Sequence, residues 1–451
     1  MSQSQNNSAS KQTAYHKPVT LKNILKFAVP TIIMTLFMSF YTMVDGLFVS
    51  NLIGTHALSA INLTAPFIQF VTAISTMLAT GGSAVIMKKM GEQKINEANE
   101  DFTFLILINV AVGLIMNILG YLAIENIFEN MNLSPCVYNY CVRYLSRYLL
   151  FTVPILLMNN FTLYMIASEK AALSLICSVT GGILNMLLDY IFIAILHMGI
   201  DGAAIATGLG YSVTAVVGLF VFSRRKNLLH FTKPVFRLRV LADATANGCS
   251  EMATALVTGI ITLLFNWTML RYVGENGVAA ITIIMYVLMF ASSFYTGYSY
   301  GVAPMISYYY GEKNQKKLRK LITISLKVIA AISLVSVILS FSATRAFVSI
   351  FVRSDNPVYE LAVTGNRICS LALLFIGFNI FASGMFTALS NGIISAVLAF
   401  SRSFVFMLIT MLVLPALLGI HGIWLATPVA ELMSLGLSAV LFIKYRKRYF
   451  Y

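Results

Sequence analysis

The sequence predicts an all-α membrane protein of twelve transmembrane helices in two homologous six-helix bundles. Three observations carry that prediction. Charge is thin, 11% of 451 residues against 58% hydrophobic, and it sits in short islands between long apolar runs. A soluble domain carries about 25% charged residues. Lys and Arg gather in alternate loops, and the chain repeats itself at a single offset of 220 residues.

Each span needs roughly 20 apolar residues. Spans are expected near 27–50, 58–87, 102–124, 146–167, 172–195 and 203–223, then 245–270, 279–308, 321–344, 361–388, 394–417 and 422–443. The corresponding organisation is a tail (1–20), a bundle (21–223), a basic linker (224–242), a second bundle (243–444) and a short basic tail (445–451). Residues 1–20 are polar with no apolar h-region, so they read as a flexible tail and not a cleaved signal. In a soluble chain the net charge of +14 would point to nucleic acid. Here the basic residues mark loops on one side of a bilayer, and no nucleic-acid partner is expected.

Topology follows from the same residues. Lys11, Lys17, Lys22 and Lys26 precede span 1; Lys88, Lys89 and Lys94 follow span 2; and Lys170 follows span 4. The linker holds Arg224, Arg225, Lys226, Lys233, Arg237 and Arg239. Lys313, Lys316, Lys317, Arg319 and Lys320 follow span 8, and Lys444, Arg446, Lys447 and Arg448 close the chain. The positive-inside rule then puts both termini and the linker in the cytoplasm of a multi-pass protein of the cell membrane.

The repeat is ungapped over about 150 residues by residue count. Gly54 matches Gly274, Gly81 matches Gly301, and Gly91-Glu92 matches Gly311-Glu312. Further on, Asn159 matches Asn379, Gly199-Ile-Asp-Gly202 matches Gly419-Ile-His-Gly422, and Ala206-Thr207 matches Ala426-Thr427. Six spans per unit is an even number, so both units enter from the same side. Such parallel repeats place a substrate site between the halves and suit alternating access.

Within this apolar frame a few polar residues stand out. Asp45 lies in span 1, where a carboxylate at membrane depth costs roughly 2.5 kcal/mol or more unless it meets a cavity or a partner. Asp189 lies in span 5 with Asn185 one helical turn before it, so the two share a face. At the matching positions the second half has Phe265, Ile409 and Val405; conversely Glu251 of span 7 matches Thr31. The halves share a scaffold and divide the chemistry. Glu251 is placed only some two turns into its span, where solvation at a helix end is an alternative to a role in binding.

Over essentially its full length the chain resembles the multidrug and toxic compound extrusion (MATE) family. The resemblance rests on Pro30, the Val44-Asp45 to Gly54 stretch, Asn185-Met-Leu-Leu-Asp189-Tyr-Ile, Gly202-Ala-Ala-Ile-Ala-Thr207, Gly248-Cys-Ser-Glu251 and Gly422-Ile-Trp-Leu-Ala-Thr427. It implies a V-shaped pair of bundles and efflux of amphipathic organic cations in exchange for H+ or Na+. It also implies that Asp45, Asn185, Asp189 and Thr207 form the cation-binding site of the first lobe. Oxygen ligands suit Na+, and two close carboxylates suit a proton. Some relatives carry an acid in span 10, where this chain has Arg367 instead, which speaks against a second cation site in the other lobe.

Tyr41, four residues before Asp45, is placed over that carboxylate, with an interfacial tyrosine as the alternative. Glu251 is a candidate for cation or substrate binding. Met38, Tyr286, Phe290 and Phe294 are assigned to the substrate cavity, because aromatic faces hold organic cations and methionine adapts its shape. Glu431 receives no role, and Arg402 is expected to snorkel toward the cytoplasm. Cys136 and Cys141 share a predicted loop; free thiols are the expectation, and a disulfide the alternative.

No Gly-x-x-x-x-Gly-Lys-[Ser/Thr] loop occurs, so ATP is not an expected partner and the coupling ion is the energy source. No cofactor is expected, and the protein is expected to work as a monomer. The alternative transporter class is a flippase for lipid-linked precursors, which would favour a strongly cationic central cavity. A membrane-embedded enzyme is not expected, since the five histidines are scattered through tail and loops.

Overall fold

In the first half, Leu21–Leu52 (α1), Thr55–Gly91 (α2) and Ile95–Glu129 (α3) are followed by Pro135–Leu149 (α4) and Thr152–Ala167 (α5). Ala171–Asp189 (α6) continues into a π-helical turn, Tyr190–Ile195, before Ile200–Phe222 (α7). The second half opens with Leu238–Tyr272 (α8), Glu275–Gly311 (α9), Gln315–Ser342 (α10) and the short Thr344–Phe351 (α11). Pro357–Cys369 (α12) runs through a 3-10 turn into Leu373–Ala388 (α13), and Gly392–Phe400 (α14) runs through a π-helical turn, Ser401–Phe406, into Met407–Leu418 (α15). Ile420–Tyr449 (α16) ends the chain's described part. This is a computed structural model. It describes residues 14–52, 55–129, 131 and 133–449; Gly54 and residues 1–13 lie outside these, and so does the side chain of Asp45.

Among the described residues, eleven helical stretches are long and apolar enough to cross a membrane, and the pair α4–α5, bent by 54°, makes a twelfth if it is one span. The bend has a sequence cause. Pro154 in the first turn of α5 has no N–H, and its ring collides with the carbonyl four residues back, so Leu150 and Phe151 leave the helix. α4 starts well before the expected span because Ser134 caps it, accepting from Val137 N, with Pro135 at the first helical position. α8 likewise starts at Leu238, seven residues before the expected 245.

The sequence repeat reappears in the backbone. Gly199 and Gly419, 220 residues apart, hold φ values of 60° and 58°, and Gln93 and Lys313 hold 64° and 56°. The packing follows the same symmetry. One core joins both halves at the end bearing the basic loops, with Phe102, Phe161 and Phe222 of the first half in the same cluster as Tyr298, Val302 and Tyr309 of the second. At the opposite end each half has its own core: Phe128, Tyr144 and Ile200 in one, Phe265, Ile284 and Trp424 in the other. Among the described residues, two bundles that share a core at one end and have separate cores at the other form a V.

Glycines make the joint. A Cβ on Gly91 would fall 2.0 Å from the carbonyl oxygen of Tyr308, and a Cβ on Gly311 2.0 Å from that of Lys88. These two contacts are exchanged by the 220-residue offset. Gly81 meets Ala244 O, and its counterpart Gly301 meets Ala28 and Phe27. Hydroxyls finish the seam: Thr31 donates to Gly297 O at 2.7 Å and Thr35 to Ser293 O at 2.8 Å.

The tail expected to be flexible is in part built into this joint. Tyr15 is fully buried, stacks on Tyr308 at 4.7 Å, donates to Ala167 O at 2.5 Å and accepts through its carbonyl from Tyr309 at 3.1 Å. Burial pushes its phenol well above the ordinary range, so it remains a donor. The linker is also tied down. His230 N and Thr232 N donate to Asn99 and Thr103 of α3, and Arg237 pairs with Glu100 and the fully buried Asp101.

Gly91→Ala and Gly311→Ala each force a methyl into a backbone carbonyl, an overpacking cost of about 1–3 kcal/mol. Each variant is expected to unfold at a lower temperature in detergent. Spin labels at positions 94 and 316 are expected to move apart. Unchanged melting and unchanged label distances would show that the basic-end joint does not depend on these contacts.

Candidate functional site

The first-half site begins with helical spacing. Asn185 and Asp189, one turn apart on α6, are 1% and 0% exposed. α7 delivers the third group because α6 and α7 approach almost backbone to backbone: Cβ atoms on Gly181 and Gly210 would sit 2.6 and 2.8 Å from the other's carbonyl oxygen. That approach lets Asn185 Nδ2 donate to Thr207 Oγ1 at 3.3 Å, while Thr207 donates to Ala203 O at 3.0 Å. The amide is thereby oriented, and Asn185 Oδ1 is left buried with no hydrogen-bond donor among the described residues. Asp189 stands at the last α-helical residue before the π-helical turn, a distortion common at functional sites. Asn185 and Thr207 are thus in contact, and Asp189 is buried one turn further along α6.

α1 supplies the wall. Tyr41 is 4% exposed, and Tyr41 and Met38 line a narrow cavity with Asn185, Gly182 and Tyr211. Asp45 lies one turn beyond Tyr41 on the same helix, in the part of α1 whose side chains are outside the described residues.

Glu251 is elsewhere. It lines a cavity of about 40 Å³ between the halves, with the hydroxyl residues Thr80 and Ser83 of α2, Ser299 and Ser307 of α9 and Thr387 of α13. Because α8 starts at Leu238, Glu251 lies 13 residues into the helix, about 20 Å along its axis. A pocket of this size has room for a water molecule.

The assigned substrate residues do not share one cavity. Met38 lies by Asn185 in the first half. Phe290 and Phe294 pack edge to face at 6.0 Å and line an apolar cavity of about 470 Å³ inside the second half, between α9, α10, α11 and α12. Tyr286 stacks on Phe351 of α11 at 5.9 Å. The span-8 tyrosines Tyr295 and Tyr298 are core residues, donating to Leu373 O and Ser325 Oγ. Phe290 and Phe294 share a helix face by i, i+4 spacing, and that face turns into the second half, away from Met38.

Two further corrections concern charge. Arg402 does not snorkel: its Nε donates to Glu431 Oε1 and Oε2 at 2.8 and 3.0 Å, inside the second half. Glu431, 5% exposed, also accepts from Asn379 at 2.8 Å. The available signal is that Arg402 and Glu431 are opposite charges in consecutive spans of the same half. All five cysteines are free, with Cys136 exposed and Cys141 buried.

The MatE family model matches the chain twice, over residues 30–191 and 252–413. Among curated proteins, the multidrug export protein MepA of Staphylococcus haemolyticus (strain JCSC1435) is 24% identical, with 95% of this chain and 94% of that protein covered. MepA of Staphylococcus aureus (strain bovine RF122 / ET3-1) is 22% identical over the same shares. Among solved structures, a MATE in complex with MaL6 superposes with a TM-score of 0.89 at 22% identity, covering 94% of this chain and 95% of that one. An outward-facing multidrug resistance MATE transporter of the MOP superfamily gives 0.88 at 23% identity over the same shares. With two copies of the family's domain, one in each half of the V, the chain belongs to the MatE family.

Proposed function

We propose that this protein is a secondary active multidrug efflux transporter of the cell membrane. It exports amphipathic organic cations in exchange for H+ or Na+ by alternating access, with both termini in the cytoplasm. The observation that carries this reading is the buried Asn185–Asp189–Thr207 cluster, present in the first half and absent from its duplicate. Asn185 Oδ1 and the Asp189 carboxylate are the acceptors for the coupling cation, Thr207 orients the amide, and Asp45 joins them from α1. The V supplies the second requirement. A joint made at one end by backbone contact opens without dismantling either bundle's own core, and the two access states are the joint closed and the joint open. Binding of the cation in the first half favours release of the drug. Family membership and the similarity to multidrug export proteins support the substrate class.

The experiment is efflux of a fluorescent organic cation from vesicles under separately imposed proton and sodium gradients. Wild type is expected to respond to at least one gradient, and Asp189→Asn to lose at least tenfold of the gradient-driven rate. Wild-type efflux indifferent to both gradients would remove the antiporter reading. A fully active Asp189→Asn would remove that residue's role and leave the antiporter intact.

Gly181→Ala tests the cluster without touching a charged group. The methyl separates α6 from α7 and withdraws Thr207 from Asn185, at an overpacking cost of about 1–3 kcal/mol. The variant is expected to remain folded, by size exclusion and circular dichroism, while the gradient dependence of efflux weakens. Unaltered gradient dependence would show that the Asn185–Thr207 contact is not needed.

A further inference from the structure

The second half has its own buried polar centre, and it is wired differently. Arg402 Nε donates to both oxygens of Glu431; Asn379 Nδ2 donates to Glu431 Oε2 at 2.8 Å and to its carbonyl at 2.9 Å; Ser438 Oγ donates to Asn379 Oδ1 at 3.0 Å. The side chains of Arg402 and Glu431 are 20% and 6% exposed. Arg402 sits in the π-helical turn Ser401–Phe406.

The 220-residue offset shows where this centre lies relative to the first-half site. Arg402 matches Gly182 and Glu431 matches Tyr211, and both matching residues line the narrow cavity beside Asn185. Where the first half has a glycine and a small cavity, the second has a guanidinium held by a carboxylate. Where the first half has Asn185 and Asp189, the second has Val405 and Ile409. A buried ion pair of this kind gains little stability over apolar residues of equal volume. Its effect is electrostatic: the carboxylate on α16 already holds a cation, and that cation is covalently attached.

We infer that Arg402 is a tethered cation, filling in the second half the place that corresponds to the narrow cavity beside Asn185 in the first. Glu431 is the carboxylate of that place, and Asn379 and Ser438 position it. The consequence, which rests on the transport reading above, is that only one half exchanges its cation during a cycle. The vacated place would accept a small planar cation of the guanidinium type. Arg402 also lies within electrostatic reach of Glu251 on α8, so a test has to tell the two carboxylates apart.

The test is chemical rescue, read by thermal unfolding of the purified full chain and so independent of transport. Arg402→Ala is expected to unfold about 5 °C or more below wild type. Guanidinium chloride at low millimolar concentration is expected to restore most of that loss, and urea, neutral and of similar shape, is not. In Arg402→Ala/Glu431→Gln the guanidinium response is expected to vanish, and in Arg402→Ala/Glu251→Gln to persist. The reverse pattern would make Glu251 the partner and overturn the proposal. Should Arg402→Ala fail to accumulate, Arg402→Met/Glu431→Met decides. A tethered cation removed together with its carboxylate leaves a folded protein, whereas a double variant as unstable as the single one would show that the pair is packing alone.

Discussion

The architecture depends on one close approach: the two bundles meet backbone to backbone at the end bearing the basic loops. In lipid there is no hydrophobic force to drive helices together, so contact is gained by small residues that let backbones touch. Gly91 against Tyr308 and Gly311 against Lys88 are the same contact made twice by the duplicated sequence. Tyr15 and the hydroxyls of Thr31 and Thr35 seal the seam. Because the approach is confined to one end, each bundle must bury its other end by itself, and it does so with its own core. The V is the result of that division.

Where charge is buried, the duplicate halves have parted. The first half buries Asn185 and Asp189 one turn apart on α6, with Thr207 in contact with Asn185. The second half neutralises its carboxylate internally, with Arg402 on Glu431. A charge inside a membrane protein needs a partner or a cavity; Glu431 has the partner, and Glu251 lines a cavity. The symmetric parts, such as the paired glycines and the matched dihedrals of Gly199 and Gly419, keep the scaffold two-fold. The asymmetric parts are few, buried and polar. A duplicated scaffold thereby acquires two unlike interiors.

Much of this was legible in the chain, for reasons that can be stated. Spans are readable because a bilayer demands a minimum run of apolar residues, and the repeat is readable because it is ungapped. Asn185 and Asp189 share a face by helix geometry alone. The start of α8 was misplaced because its first two turns, Leu238 to Ala244, are too polar to look like membrane. They are helical because they lie against α2, where Gly81 admits the backbone of Ala244. Residues 14–20 looked like a free tail since nothing local holds them; Tyr15 is held by residues 152 and 294 positions away. The aromatic face of Phe290 and Phe294 was visible as a face, but the direction in which it points was not.

Composition, periodicity and the offset of 220 by themselves determined a twelve-span, two-bundle membrane protein with acids confined to particular spans. Those features depend on local hydrophobicity and helical spacing, which act over a few residues and are written directly in the order of the chain. Tertiary structure alone decided that Arg402 meets Glu431 and that Glu251 lines a cavity between the halves. Each depends on how far apart two helix axes stand and how each helix is rotated. Those quantities are set by glycine contacts and π-helical turns whose partners are remote in sequence.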